Sequence, residues 1–415
     1  SLTVSICKLM ESVIRNAVWQ FWEAEGLISC DQHGFRPKCS CVTQMLEFLE
    51  EVTALLDRGE HVDIVYLDFC KAFDTVPHER LLAKLEALGV RGNLLNWFRN
   101  FLSGRVQAVM VNGTLSSPKL VLSGVPQGSV LGPLFFIAYI NDLITYLMSS
   151  VKLYADDAKV FSSSPFALQT DLDALAIWSE LWLLRFNVEK CGIMHCGFNN
   201  PNHPYFLNGQ QLQTIETQRD LGILVAKNLK FSTHVRSITS KAQKLLGLIK
   251  NTFVSREPSV IIPTFCALVR SVLEYGSVIW SPYTARDIQA VEKIQRRATK
   301  MVRGLGNFSY EERLRILNLD SLEKRRLKTD LIQLYKIIND HTLLKAESLF
   351  NFNVPERARR HSVRIYPNRC RLDVRKYFFT NRVVSVWNSL PDNVINAASP
   401  YNFRKLLDDF LSDML

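Results

Sequence analysis

Two adjacent aspartates, Asp156 and Asp157, stand between two short apolar runs and constrain this 415-residue chain more than any other feature. Val151, Leu153 and Tyr154 precede them, and Ala158, Val160 and Phe161 follow. Apolar, β-prone residues on both sides of a tight polar turn predict a β-hairpin with the carboxylates at its tip. Carboxylates held together away from water repel, and a cation must neutralise them unless the turn is merely solvated. Magnesium is the hard cation that takes one or two carboxylates together with substrate phosphates.

A second acidic strand lies upstream. Val62, Ile64, Val65, Tyr66 and Leu67 form a β-branched, apolar run that ends in Asp68-Phe69-Cys70-Lys71-Ala72-Phe73-Asp74. A strand end fixes a carboxylate rigidly, as metal chemistry requires. Asp68 with Asp156 and Asp157 would supply three carboxylates for two metal ions, the arrangement for in-line phosphoryl or nucleotidyl transfer.

With these residues in view, the chain resembles the reverse transcriptase of a non-LTR (LINE-type) retrotransposon, nearest to the jockey and CR1 branch. The resemblance rests on ordered motifs along nearly the whole chain. Ser1-Leu2-Thr3 with Cys7-Lys8-Leu9 and Glu11 is similar to the N-terminal extension, and Gln32-His33-Gly34-Phe35-Arg36 to the fingers motif. Leu67-Asp68-Phe69 through Asp74-Thr75-Val76-Pro77-His78 resembles the first catalytic motif, and Tyr154 to Asp157 the second. Ser123 to Pro133, with Gly124-Val125-Pro126-Gln127-Gly128 inside it, resembles the template and nucleotide motif and is the most specific. Asn187, Lys190 and Leu221-Gly222 resemble the two motifs that follow.

The resemblance implies an α+β right-hand polymerase: fingers, a palm with a small antiparallel sheet, a helical thumb and a helical basic C-terminal region. The expected divisions are residues 1–60 and 80–120 for fingers, 61–79 and 121–235 for palm, 236–303 for thumb and 304–415 for the C-terminal region. It implies Asp68, Asp156 and Asp157 as metal ligands for two Mg²⁺ ions (Mn²⁺ also fits), and Lys190 as proton donor to pyrophosphate. It implies Arg36, Lys38, Phe69, Phe73 and Gln127 at the incoming nucleotide, with Phe73 excluding a 2′-hydroxyl. Gly124, Pro126, Gly128 and Tyr154 are expected at template or primer. The implied partners are an RNA template, a DNA primer or target and deoxynucleotides, in a nuclear and cytoplasmic ribonucleoprotein performing target-primed synthesis. Two alternatives stay open: a decayed element copy acting as an RNA-binding protein, and a metal-dependent nuclease. The nuclease would use similar carboxylates but has no need of the Pro126-Gln127-Gly128 loop.

Composition narrows the classes further. Hydrophobic residues make up 47% of the chain, which places it among globular proteins rather than disordered ones. No apolar stretch approaches the roughly 20 residues a bilayer span needs, and no secretion signal opens the sequence. A start at Ser1, inside a family motif, leads us to expect a fragment of a longer reading frame. The nine cysteines lack paired Cys-x-x-Cys spacing, so free thiols are expected rather than zinc at Cys39/Cys41 or at Cys191/His195/Cys196.

The net charge of +10 is unevenly placed: acids slightly outnumber bases up to Thr233, and bases lead from Arg236 onward. A basic half beside a near-neutral half is an electrostatic footprint for nucleic acid. Within it, residues 286–303 predict a helix with Arg296, Arg297 and Lys300 on a basic face suited to phosphate contacts. Arg357 to Arg382, interleaved with Tyr366, Tyr377 and Phe378, is expected to suit RNA or single strands. Further helices are expected over 4–24, with Ile6, Leu9, Met10, Val13, Ile14, Val18 and Phe21 as the packed face, over 41–56 and over 168–186. A hairpin turning at Asn112-Gly113 is expected between Leu102 and Leu122.

Overall fold

The computed structural model describes residues 4–352 and 363–413. The chain divides into two compact units: residues up to Gln44 with His61–Ile215, and Met45–Glu60 with the chain from Glu216 onward.

In the first unit α1 (Ser5–Ala24) leads to α2 (Cys41–Asp57), which runs on into the second unit, and then to β1 (Val62–Leu67). All six residues of β1 are buried, which explains why its sequence is nearly continuous in apolar residues instead of alternating. Its one acid, Asp63, is satisfied inside the protein by His195 Nδ1 at 2.8 Å, Asn200 Nδ2 at 2.8 Å and the Tyr205 hydroxyl at 2.6 Å. Three short helices follow, α3 (Ala72–Thr75), α4 (His78–Ala87) and α5 (Gly92–Leu102). Next comes a ribbon of paired two-residue strands: β2 (Val106–Gln107), β3 (Met110–Val111), β4 (Thr114–Leu115) and β5 (Lys119–Leu120). The ribbon turns at Asn112-Gly113, both with positive φ as a primed turn demands, and every residue of its strands is exposed.

Helix α6 (Leu131–Ile140) is buried at nine of its ten positions, so it reads as uniformly apolar, without a polar face. The catalytic-type hairpin is β6 (Ser150–Tyr154) and β7 (Asp157–Ser162), and α7 (Pro165–Trp182) follows it. Ser164 caps α7, with Pro165 in its first turn and Leu183 in the left-handed conformation at its end. Strands β8 (Gly192–Cys196), β9 (Phe206–Leu207), β10 (Gln210–Gln211) and β11 (Gln213–Thr214) complete the unit.

The sheet order is β11-β8-β1-β7-β6, antiparallel throughout except for the β11–β8 pair. Strand β1 lies at its centre, paired with β7 from Asp63 opposite Ser162 to Leu67 opposite Ala158. Helices α6 and α7 contribute Phe135, Phe136, Leu172, Leu175 and Trp178 to the core around it.

Helix α1 forms where the periodicity predicts it, but of the expected face only Ile14 and Val18 pack against the core. Ile6, Leu9, Met10, Val13 and Phe21 are exposed, while Glu11, Val18, Trp19 and Trp22 are buried. The cause is polar. Glu11 Oε2 accepts the Val130 and Leu131 N–H groups at 2.7 and 3.2 Å, capping the start of α6. This fixes the rotation of α1, and Trp22 Nε1 donates to the Leu88 carbonyl at 3.0 Å on the same side.

The second unit opens with a hairpin of β12 (Thr217–Asp220) and β13 (Ile223–Ala226) and is otherwise helical. Its principal helices are α8 (Ser232–Thr252) and the helices Ala285–Lys300, Leu322–Ile338 and Pro400–Asp413. Segment 45–60 belongs to it through a buried cluster. The Arg375 guanidinium pairs with Glu50 and donates to Thr53 Oγ1 at 3.2 Å, and Thr380 Oγ1 donates to Glu50 at 2.7 Å. Asp57 accepts the Arg371 and Leu372 N–H groups at 2.8 and 2.7 Å.

Candidate active site

The β1–β7 ladder ends at Leu67 beside Ala158, so Asp68 leaves the sheet next to the turn that carries Asp156. Tyr154 and Asp157 form the last pair of the hairpin, leaving Ala155 and Asp156 as a two-residue turn. Burial, together with the nearby charge of Asp68, raises the Asp156 carboxyl above the usual carboxylate range. Asp68 is anchored through its backbone: its carbonyl accepts the Asn187 N–H at 2.7 Å, and its own N–H reaches Cys191 Sγ at 3.3 Å. Lys190 lies in the turn that follows Asn187, with Nζ 3.7 Å from Asp68 Oδ2. That oxygen is buried and has no hydrogen-bond partner. Two carboxylates that repel, one with a buried oxygen that makes no hydrogen bond, form a donor set that fits a hard divalent cation. The sequence expectation of three converging aspartates is only partly met. Asp157 is exposed, and among the described residues no three His, Cys, Asp or Glu side chains gather as a metal-holding group.

Segment 123–132 is laced to the chain leaving β1. Gly124 N donates to the Val76 carbonyl and Val125 N to the Phe73 carbonyl, both at 2.8 Å. Ser123 Oγ donates to the Asp74 carbonyl at 2.9 Å, Gln127 Nε2 to the Asp74 carboxylate at 2.7 Å, and His78 Nε2 lies 3.0 Å from the Gly124 carbonyl. Gly124 has φ +91°, and a Cβ there would lie 2.7 Å from the Asp74 carbonyl oxygen, so only glycine fits. Gly128 also has positive φ, and the Pro126 carbonyl accepts from Ser129 Oγ at 2.8 Å. The Phe73 ring stacks on Phe136 at 4.2 Å and meets Phe35 edge-on at 6.2 Å. The Phe69 ring is buried and stacked on Phe186 at 4.6 Å.

The Gln32-His33-Gly34 segment bridges the edge of the sheet at β6. Gln32 bridges Leu153 in parallel, with Leu153 N donating to the Asp31 carbonyl at 2.9 Å and His33 N to the Leu153 carbonyl at 3.0 Å. Beyond it Lys38 is exposed, with φ +61°. The Arg36 guanidinium is held by Glu23, Nε–Oε1 2.9 Å and Nη2–Oε2 3.2 Å, and by the Ser29 carbonyl at 2.6 Å.

In the second unit, Lys293, Arg296, Arg297 and Lys300 are exposed on one face of helix Ala285–Lys300, while Val291, Ile294 and Ala298 are buried on the other. The Arg296 guanidinium lies 4.6 Å over the Tyr310 ring. The second basic run is less open than its composition implies. Arg357 lies outside the described residues, Arg375 is buried against Glu50, Arg382 pairs with Asp330 at 2.8 Å, and Tyr377 stacks on Tyr283 at 4.3 Å.

Residues 1–249 match the family model described as reverse transcriptase (RNA-dependent DNA polymerase). The chain belongs to the reverse transcriptase family. Among its relatives is the "Probable RNA-directed DNA polymerase from transposon BS" of Drosophila melanogaster, 28% identical over 350 residues, 78% of this chain and 38% of the relative. The "RNA-directed DNA polymerase from mobile element jockey" of the same fly is 26% identical over 73% of this chain and 35% of its own length. This reverse transcriptase chain thus spans well under half the length of either relative, and the resemblance to non-LTR elements of the jockey group is met. In solved structures it is similar to apo telomerase from Candida tropicalis, with a TM-score of 0.45 at 11% identity over 74% of this chain and 54% of that one. Its architecture is α+β, with a small, mostly antiparallel sheet in the first unit and a helical C-terminal region.

Within this family frame, sequence reasoning misses Glu11, Gln32, Gly34, Asp74 and Cys191 as residues that hold the site together. Asp74 and Gln32 stand inside the family-like motifs, and their side chains are legible as polar residues near glycine-bearing turns. Cys191 gives no signal beyond its place after Lys190.

Proposed function

We propose that this chain carries the RNA-directed DNA polymerase activity of a non-LTR retrotransposon, extending a DNA primer on an RNA template with deoxynucleotides. The observation that supports it best is the Asp68–Asp156 pair, with Asp68 Oδ2 buried without a hydrogen bond at the end of a central strand and Lys190 Nζ 3.7 Å from it. In this reading a bond forms between the primer 3′-oxygen and the α-phosphorus, and the bond to the β-phosphate oxygen breaks to release pyrophosphate. Asp68 and Asp156, with Asp157 beside them, would hold two Mg²⁺ or Mn²⁺ ions. When bound, these would activate the attacking oxygen and steady the leaving group.

The chain's own groups then have distinct tasks. Lys190, beside Asp68, donates a proton toward departing pyrophosphate. Phe73, braced by Phe136, lies under the sugar and excludes a 2′-hydroxyl. Gln127, held by Asp74, faces the nucleotide with Arg36 and Lys38. The backbone at Gly124, Pro126 and Gly128, with Tyr154, runs along template and primer. Residues 61–79 and 121–235 act as palm, 1–60 and 80–120 as fingers and 236–303 as thumb, with 304–415 as a basic C-terminal region. Target-primed synthesis within a nuclear and cytoplasmic ribonucleoprotein follows from the same reading.

The test is extension of a DNA oligonucleotide on an RNA template by purified protein, with and without Mg²⁺, comparing wild type with Asp68→Asn and Asp156→Asn. Each substitution removes a charge and keeps the shape, so extension should vanish with melting unchanged. Near-normal extension by either folded variant overturns the assignment.

A further inference from the structure

The turn that carries Asp156 is strained. Ala155 has φ +56°, a left-handed conformation that crowds the Cβ of any residue but glycine. Such backbone persists only where its surroundings over-determine it. Here the surroundings are segment 31–34. Beyond the two backbone bonds to Leu153, Lys152 Nζ pairs with Asp31 at 2.8 Å. The Gln32 side chain, fully buried, reaches the turn itself: its Oε1 accepts the Ala155 N–H at 3.0 Å and the Gly34 N–H at 2.7 Å. Gly34 completes the fit. A Cβ there would overlap Ala155 N and lie 2.9 Å from the Tyr154 carbonyl carbon.

We infer that Gln32 is a positioning residue for Asp156. One side-chain oxygen with two lone pairs holds the N–H of the residue just before Asp156 and fixes the angle at which that carboxylate meets Asp68. Gly34 is the spacer that lets the two backbones approach closely enough for the bond to form. The chemistry asks for an acceptor at the Oε1 position and nothing from Nε2, which is buried without a partner. Glu in its neutral, protonated form, which burial without a counter-charge favours, keeps an acceptor at that position and replaces Gln in this role; Leu, of similar bulk, does not. Without the acceptor the Ala155 N–H is buried and unmatched, and the turn relaxes toward a conformation that carries Asp156 away. The inference rests on the polymerase reading of Asp68 and Asp156.

The experiment compares wild type, Gln32→Leu, Gln32→Glu and Asp156→Asn in DNA-primed extension on an RNA homopolymer. It measures kcat and KM for the deoxynucleotide separately, with melting and hydrogen exchange of the peptide covering residues 153–158. Gln32→Leu should lower kcat by about 10- to 100-fold, the scale of a displacement near 1 Å in a catalytic group. KM should stay unchanged and amide exchange in the hairpin should accelerate. Gln32→Glu should restore both. Wild-type kcat and protection in Gln32→Leu overturn the inference, as does a folded Gln32→Glu that behaves like the Leu variant. If Gln32→Leu fails to fold, the Glu variant decides alone: activity near wild type supports the role and its loss overturns it. Equal extension by Asp156→Asn and wild type would sink the polymerase reading instead, while the exchange rates still report whether Gln32 holds the turn.

Discussion

Phe73 has a firm floor in Phe136 and an edge contact from Phe35, so shortening it to Val opens space over a ring that stays in place. In the proposed polymerase the Phe73→Val variant should incorporate ribonucleotides more readily relative to deoxynucleotides. A ribo-to-deoxy ratio equal to wild type, in a folded variant, assigns Phe73 to packing alone. The same scale shows what one chain of letters reveals. Asp68 is legible because it ends an apolar run, and Asp156 because it sits between two. Gln32 and Gly34 are legible as part of a motif, but not as the residues that hold the Asp156 turn. Their link to Leu153 and Ala155 is a single parallel bridge between segments 121 residues apart (153 − 32), and such a bridge has no local periodicity. Arg36 gives no hint of Glu23, a partner thirteen residues earlier on a different element.

At the scale of elements, the existence of helices and strands is legible while several of their faces are not. Helix α1 shows why: its apolar stripe reads as the packed side, but one buried carboxylate, Glu11, fixes its rotation. Glu11→Ala should lower stability by about 1.5–3 kcal/mol, the range for a hydrogen bond to a charged group, seen as a drop in melting temperature. A melting point unchanged from wild type refutes the cap.

Helix α4 carries a second buried charge. Lys84 Nζ donates to the Tyr139 carbonyl and to Asp142, and the Trp182 ring lies 3.8 Å away. Burial lowers its pKa from 10.5 to about 8, against the opposing pull of Asp142. Between those values the unfolded chain holds the proton and the folded protein does not, so the Lys84 contribution to stability rises with pH from about 8 toward 10.5. The difference in unfolding free energy between wild type and Lys84→Met, followed by denaturant titration, should grow in favour of wild type across that window. A difference independent of pH means that Lys84 does not titrate there.

For the molecule as a whole, charge is legible as a total and less so as a surface. Arg296, Arg297 and Lys300 are exposed, as the helical period predicts. Arg375 and Arg382, both within the second basic run, are consumed by Glu50 and Asp330. Replacing Arg296, Arg297 and Lys300 with Gln should weaken template–primer binding across unrelated sequences. It should also flatten the logarithmic salt slope by ~0.7–0.9 for each phosphate that the protein no longer neutralises. An unchanged slope, with binding measured from low to moderate salt, would show that this face does not meet the backbone of the nucleic acid.

The Arg375–Glu50 cluster bears on how the protein is made. Its two ends are 325 residues apart in the chain. At translation speeds of 5–20 residues per second, Glu50 is made about 16–65 s before the arginine that will neutralise it. Through that interval the Glu50 carboxylate has neither the Arg375 guanidinium nor the Thr380 hydroxyl beside it. A nascent chain halted before residue 371 should therefore be cut by added protease within segment 45–60, where the released full chain is protected; equal protection of both would show that this cluster is not needed to hold the segment.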